Sequence, residues 1–176
     1  MYSLIVARMQ ALHNGHLDLI NKALDLNENL IILLGVNPKV SFKNPFSFQE
    51  RKDLILKVYP NSNITILPLL DMKEDSEWLK QLERQLNSVA PVSDLITFVY
   101  ADKDISTELS NSLIKSLNIS SSRHSSSYML NATDIRRDIL EYRYKNVSFN
   151  VHPLVLDFLI SNTSNLLTQY TIGKNP

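Results

Sequence analysis

Residues able to do chemistry gather at two places in this chain of 176 residues. The first is "ARMQALHNGHLDL" at 7–19, which sets one of three glycines between two of four histidines. His13 and His16 lie three apart and can project to the same side, with Arg8 shortly before them. Gly15 has no Cβ and lets a ligand approach the backbone closely. At a helix N-terminus, where unpaired N–H groups and a partial positive charge gather, these residues would form a compact cationic cluster suited to phosphate. An ordinary strand-to-helix turn with a capping histidine uses the same residue types. A zinc reading of His-x-x-His lacks the glutamate and the spacing of the protease motif, and the chain has no cysteine to complete a site.

The second place is "LNATDIRRDIL" at 130–140. Asn131 or Thr133 would cap a helix that begins with Arg136 and Arg137 near its start. A hydroxyl and a guanidinium at a helix N-terminus again suit phosphate oxygens. The plain alternative is a capped surface helix carrying two solvated arginines.

The elements that must position these groups alternate along the chain. Apolar runs at 2–7, 29–36, 63–70 and 94–101 predict buried strands. Amphipathic patterns predict helices at 15–24, 48–59, 76–89, 106–117, 133–144 and 152–162, the last with Pro153 suited to its first turn. The Ser-rich segment 118–130 predicts a loop around a weak fifth strand. Uninterrupted apolar strands separated by amphipathic helices imply an α/β fold, a doubly wound, Rossmann-like parallel sheet with helices on both faces. A single domain over 1–176 is expected, with a helical C-terminal part at about 133–165. Ligands of such sheets bind beyond the carboxyl ends of the strands, at the switch point beside the first strand, where 13–16 would fall.

Composition narrows the classes further. Eighteen basic residues balance eighteen acidic ones, which argues against nucleic-acid and membrane-surface binding. The absence of cysteine excludes disulfides, thiolate metal sites and Cys nucleophiles. The apolar run of "MYSLIVARMQ" is too short for a signal peptide and is interrupted by Arg8. No stretch is long enough to span a bilayer. A soluble, cytoplasmic homo-oligomer is expected. No Gly-x-Gly-x-x-Gly occurs, so a dinucleotide-dependent dehydrogenase is not.

Taken together, His13-x-Gly15-His16 after the first strand and Thr133-x-x-Arg136 opening a late helix resemble the nucleotidyltransferase superfamily. More narrowly, the chain resembles the archaeal-type nicotinamide mononucleotide (NMN) adenylyltransferases. "KNPFSFQER" (43–51), "LPLLDMKEDSEW" (67–78) and "YMLNATDIRRDIL" (128–140) each resemble a segment of that family, in order. Departures are present. Ala7 and Ala11 stand where the family has Gly and Pro, and Asn131-Ala132 where it has Ser-Gly. Ala101-Asp102-Lys103 replaces its Ser-Gly-Asn, and Asp75 an Asn.

The resemblance implies adenylyl transfer from ATP to NMN, giving NAD and pyrophosphate. It implies that His13 and His16 hold the ATP phosphates, His16 stabilising the transition state, and that Arg8 and Arg136 hold the β- and γ-phosphates. Gly15 and Thr133 would complete the ATP site. Trp78 would stack on the nicotinamide ring, Asp71 accept from its carboxamide and Lys43 contact the nucleotide phosphate. Without the resemblance, Trp78 reads as the core anchor of its helix. Mg²⁺ would be held mainly by ATP phosphates and water, with no protein ligand expected. Two alternatives stay open. One is another small phosphate ester as acceptor, such as phosphopantetheine; the other is a nucleotide-binding regulatory module that no longer catalyses. A fused Nudix hydrolase is not expected, the tail after 165 being short.

Overall fold

The computed structural model describes residues 1–90, 95–101, 119–125, 128 and 130–173. The chain clusters into two units: one of Met1–Arg8, Asp18–Val36 and Asn61–Ser126, the other of Met9–Leu17, Asn37–Pro60 and Ser127–Pro176. In chain order the elements are β1 (Tyr2–Ala7), α1 (Asn14–Leu26), β2 (Asn29–Val36), α2 (Phe48–Val58), β3 (Asn63–Leu70), α3 (Asp75–Asn87), β4 (Ile96–Tyr100) and β5 (Ser120–Arg123). Four further helices follow: α4 (Ala132–Leu140), α5 (Tyr144–Ser148), α6 (Pro153–Ser161) and α7 (Thr163–Ile172).

All five strands lie in the first unit and form one parallel sheet, ordered β3-β2-β1-β4-β5. The order runs outward from β1 in both directions, so the switch point lies between β1 and β4. The centre of the sheet is buried throughout: Leu4, Ile5 and Ile31 to Leu34 have no exposed surface. Runs without a polar residue belong where both faces of a sheet are covered. On one side Leu4, Val6, Ile31, Leu33, Leu69 and Phe98 pack with Leu82, Leu86 and Ala90 at and beyond α3. Ser3, a polar residue in this core, is satisfied: its Oγ donates to the Ala23 carbonyl at 2.6 Å and accepts from Asn27 at 3.1 Å. The α/β, doubly wound arrangement expected from the periodicities is the one observed.

The second unit is helical and is tied together by side-chain clamps. Buried Gln10 holds both backbone groups of Phe46, donating from Nε2 to its carbonyl at 2.9 Å and accepting at Oε1 from its N–H at 3.0 Å. Ser47 and Glu50 form a capping box at the start of α2, each side chain accepting from the other's backbone N–H. Arg51 is buried and donates through Nε to the Ser47 carbonyl at 3.1 Å.

Several element boundaries differ from expectation for local reasons. The helix expected over 133–144 stops at Leu140 because Tyr142 takes a left-handed backbone, φ 56°. Its N–H bonds to the Ile139 carbonyl, and Arg143 then folds back to donate to Asp138 at 2.9 Å. α7 follows α6 directly and was not expected, since "TSNLLTQYTI" is rich in residues that compete for backbone hydrogen bonds. Here the hydroxyls of Thr168 and Thr171 donate back to carbonyls four residues earlier, each at 2.9 Å, within the helix. The weak strand inside 118–130 is β5. The helix expected over 106–117 lies outside the described residues. Among the described residues, no helix is long and apolar enough to cross a membrane.

Candidate active site

The sheet unit delivers Arg8 at the end of β1. Its Nη2 donates to Asp71 Oδ2 at 3.0 Å, just past β3; Arg8 is exposed and Asp71 half-buried. Asp71 is held there by its backbone N–H, which donates to the Val36 carbonyl at 2.8 Å. Gly35, near the end of β2, makes this geometry possible. A Cβ on Gly35 would lie 3.0 Å from Arg8 Cγ, so any larger residue would press on the arginine stem. An isolated glycine inside an apolar strand commonly marks such a close approach; the motif reading overlooked Gly35. Trp78 is half-buried on α3 and packs against the core of the sheet unit.

Met9, which follows Arg8, is the first residue of the helical unit. Met9, almost fully buried, has φ 49°, a left-handed conformation that a non-glycine residue adopts only when its surroundings hold it there. The clamp of neighbouring Gln10 on Phe46 is one such restraint. This segment ends at His13, whose carbonyl accepts from the N–H groups of His16 and Leu17 at 2.8 and 3.1 Å as α1 begins.

His13 and His16 stack, ring centroids 3.7 Å apart and planes 23° from parallel. The His13 backbone N–H donates to His16 Nδ1 at 3.3 Å, closing the helix entry in the manner of a capping box. An Nδ1 that accepts places the proton of the neutral ring on Nε2. His16 is held neutral: burial pushes its pKa well below the ordinary value, and the adjacent His13 pushes it the same way. The expected cationic cluster is therefore corrected. Two rings stacked this closely and buried cannot both carry charge, and His16 is a neutral Nε2–H donor. The reading of Gly15 also changes. A Cβ there would lie 3.2 Å from Cε1 and Nδ1 of His13, so the missing side chain makes room for the histidine ring.

Arg136 on α4 is 1 % exposed although it carries a full charge. Its Nη2 donates to Thr133 Oγ1 at 3.1 Å, while Nε and Nη1 have no hydrogen-bond partner among the described residues. Its guanidinium lies over the Phe42 ring, 5.2 Å from the centroid. Burial lowers its pKa to about 10, and Asp134 only partly opposes this. The helix cap is Asn131, whose Oδ1 accepts from the Thr133 N–H at 2.8 Å. Thr133 is thus not the cap; it sits one turn before Arg136 and orients the guanidinium. Lys43 is exposed on the 41–46 turn of the same unit. The structure brings together His13, Gly15 and His16, then Thr133 and Arg136, and separately Arg8 with Asp71. A buried cation with two unsatisfied donors, and a neutral imidazole with a fixed donor, are groups prepared for an anion.

A family model described as cytidylyltransferase-like matches residues 4–152. The chain belongs to the cytidylyltransferase-like family. This cytidylyltransferase-like chain is 30% identical over 92 residues to a nicotinamide/nicotinic acid mononucleotide adenylyltransferase of Acinetobacter baylyi, covering 50% of this chain and 49% of that protein. It is 30% identical over 99 residues to a nicotinamide-nucleotide adenylyltransferase of Methanococcus aeolicus, covering 54% and 55%. The chain spans about half the length of these curated relatives. In fold it is similar to a Francisella tularensis bifunctional NMN adenylyltransferase/ADP ribose pyrophosphatase, with a TM-score of 0.80 at 23% identity, over 98% of this chain and 53% of that one.

Proposed function

We propose that this protein transfers the adenylyl group of ATP to the 5′-phosphate of nicotinamide mononucleotide. The observation that carries the reading is buried Arg136, with two donors unmet, in the unit that also holds the His13–His16 pair. Relatives bearing the corresponding name support the choice of acceptor.

A phosphate oxygen of the mononucleotide attacks the α-phosphorus of ATP, and the bond from that phosphorus to the bridging β-oxygen breaks. NAD and pyrophosphate leave, and the charges balance without a covalent enzyme intermediate. The attacking oxygen is already nucleophilic, so the protein's work is to bring two polyanions together and to stabilise charge as it moves. His16 donates from Nε2 to the phosphate chain as a neutral group; no proton need be lost first. His13 lies stacked beside it on the same chain of phosphates. Arg136, oriented by Thr133, binds the departing β- and γ-phosphates with the forked geometry that guanidinium offers. Arg8 would assist there, sharing its guanidinium between phosphate and Asp71. Asp71 and Trp78 are assigned to the nicotinamide, and Lys43 to the mononucleotide phosphate. The groups this site presents are donors, which suit phosphate oxygens; a divalent ion, in our reading Mg²⁺, would arrive on the nucleotide, and Arg136 and His16 would bind what it leaves uncovered. When bound, such an ion screens the phosphate charge.

Incubating the purified protein with nicotinamide mononucleotide, ATP and Mg²⁺, and following NAD through alcohol dehydrogenase, tests the reading. Formation of NAD dependent on all three components is expected. ATP binding without NAD would overturn it in favour of a nucleotide-binding module.

A further inference from the structure

Among the described residues the buried Arg136 guanidinium has one hydrogen-bond acceptor, Thr133 Oγ1, which fixes one corner of the fork. One contact leaves a planar group free to swing. The second restraint is an aromatic face, Phe42, with its centroid 5.2 Å from Arg136 Cζ. Phe42 is itself backed edge-on by Tyr170 of α7, with centroids 5.0 Å apart. The segment that carries Phe42 is tied down at three points. Ser41 and Asn44 bridge one another, Asn165 donates to the Pro45 carbonyl at 3.2 Å, and Gln10 clamps both backbone groups of Phe46. The tied turn therefore holds a ring against a cation that has no carboxylate bonded to it among the described residues.

We propose that Phe42, backed by Tyr170, is the positioning residue for Arg136, holding the guanidinium plane so that its unmet Nε and Nη1 donors face the polyphosphate. Phe42 touches no reacting atom and acts only through Arg136. This rests on the reading of Arg136 as a phosphate-binding group. Two properties of the arrangement favour it over plain packing. A ring face attracts a guanidinium more strongly when both are out of water, and it does so without consuming any N–H donor. A carboxylate in the same place would neutralise the group and compete with the ligand.

The test compares Phe42→Leu with Phe42→Trp, which keeps an aromatic face, using inorganic tripolyphosphate as the binding probe and steady-state kinetics as the second readout. Phe42→Leu should weaken tripolyphosphate binding and raise the KM for ATP about thirtyfold, the magnitude of a desolvated cation–π contact. The KM for nicotinamide mononucleotide should stay within about twofold. Phe42→Trp should lie within about threefold of wild type on both measures. Equal loss for the mononucleotide and ATP, or equal loss in Leu and Trp, would make Phe42 a packing residue and overturn the proposal. Wild-type protein that binds no tripolyphosphate would overturn it as well. Protein that binds tripolyphosphate in this pattern but forms no NAD would remove the proposed reaction and leave the role of Phe42 standing.

Discussion

Replacing Arg136 by Met should leave the free protein as stable as before and abolish its response to ATP. The magnitude follows from the burial of the group. A pKa lowered by burial from the ordinary arginine value to about 10 means that keeping the charge in the folded state costs about 3 kcal/mol, at about 1.4 kcal/mol per pH unit. Against this stand the Phe42 face, worth about 2 kcal/mol when desolvated, and the Thr133 hydrogen bond, worth about 1 kcal/mol. Favourable and unfavourable contributions nearly cancel, and Met fills much of the same space. The melting temperature of Arg136→Met should therefore stay within about 3 °C of wild type. A buried arginine serving the fold through satisfied partners would behave differently. Its loss costs about 3–5 kcal/mol, or roughly 10 °C for a chain of this size. Thermal melts with and without ATP and Mg²⁺ read both halves of the prediction. Saturating nucleotide should raise the wild-type melting temperature by several degrees and leave Arg136→Met unmoved. A drop near 10 °C in the free variant, with the nucleotide response retained, would refute the reasoning and return Arg136 to the core.

Three further substitutions bear on the rest of the site. Folding withholds from His16 a proton that the unfolded chain takes up below about pH 6.5, so its contribution to stability is full above that pH and is lost as pH falls towards the lowered native pKa. His16→Asn keeps an acceptor for the His13 N–H but cannot titrate, and urea midpoints should fall less steeply between pH 7 and pH 5 than in wild type; parallel slopes would count against a buried neutral imidazole. Gly15→Ala sets a Cβ 3.2 Å from the His13 ring and should lower kcat about tenfold by tilting the stacked pair, with circular dichroism unchanged. Gly35→Ala meets only the flexible stem of Arg8, so stability should change by less than about 1 kcal/mol while the KM for ATP rises; unaltered kinetics would remove Arg8 from the phosphate site.

The sheet was legible because its strands carry their signal internally. Runs such as "LIILLGV" have no polar side chain to place outward, so a doubly covered parallel sheet is the arrangement that fits them. The two motifs were legible as phosphate chemistry because glycine, histidine and arginine are scarce and oddly placed. Their electrical state was not. Whether His16 is charged depends on burial and on a neighbouring ring, and whether Arg136 is solvated depends on Phe42, nearly a hundred residues away in sequence. Spacing along one segment cannot report contacts supplied by another. The same holds for Gly35, whose purpose is set by the side chain of Arg8, just past the end of the neighbouring strand β1. α7 was missed because its helical pattern is carried by Thr and Asn, residues that join a helix only when the rest of the unit offers it something to pack on.

The division of the chain has a consequence for assembly. It passes from one unit to the other five times, after residues 8, 17, 36, 60 and 126. No single cut can release either unit intact, and neither could be shuffled into another protein as one contiguous cassette. Arg136 and the histidines belong to the same unit yet stand about 120 positions apart in translation order. During synthesis, then, the stacked histidines emerge long before the arginine of their own unit. Most of the sheet's sequence is made in the interval, so the helical unit is completed last.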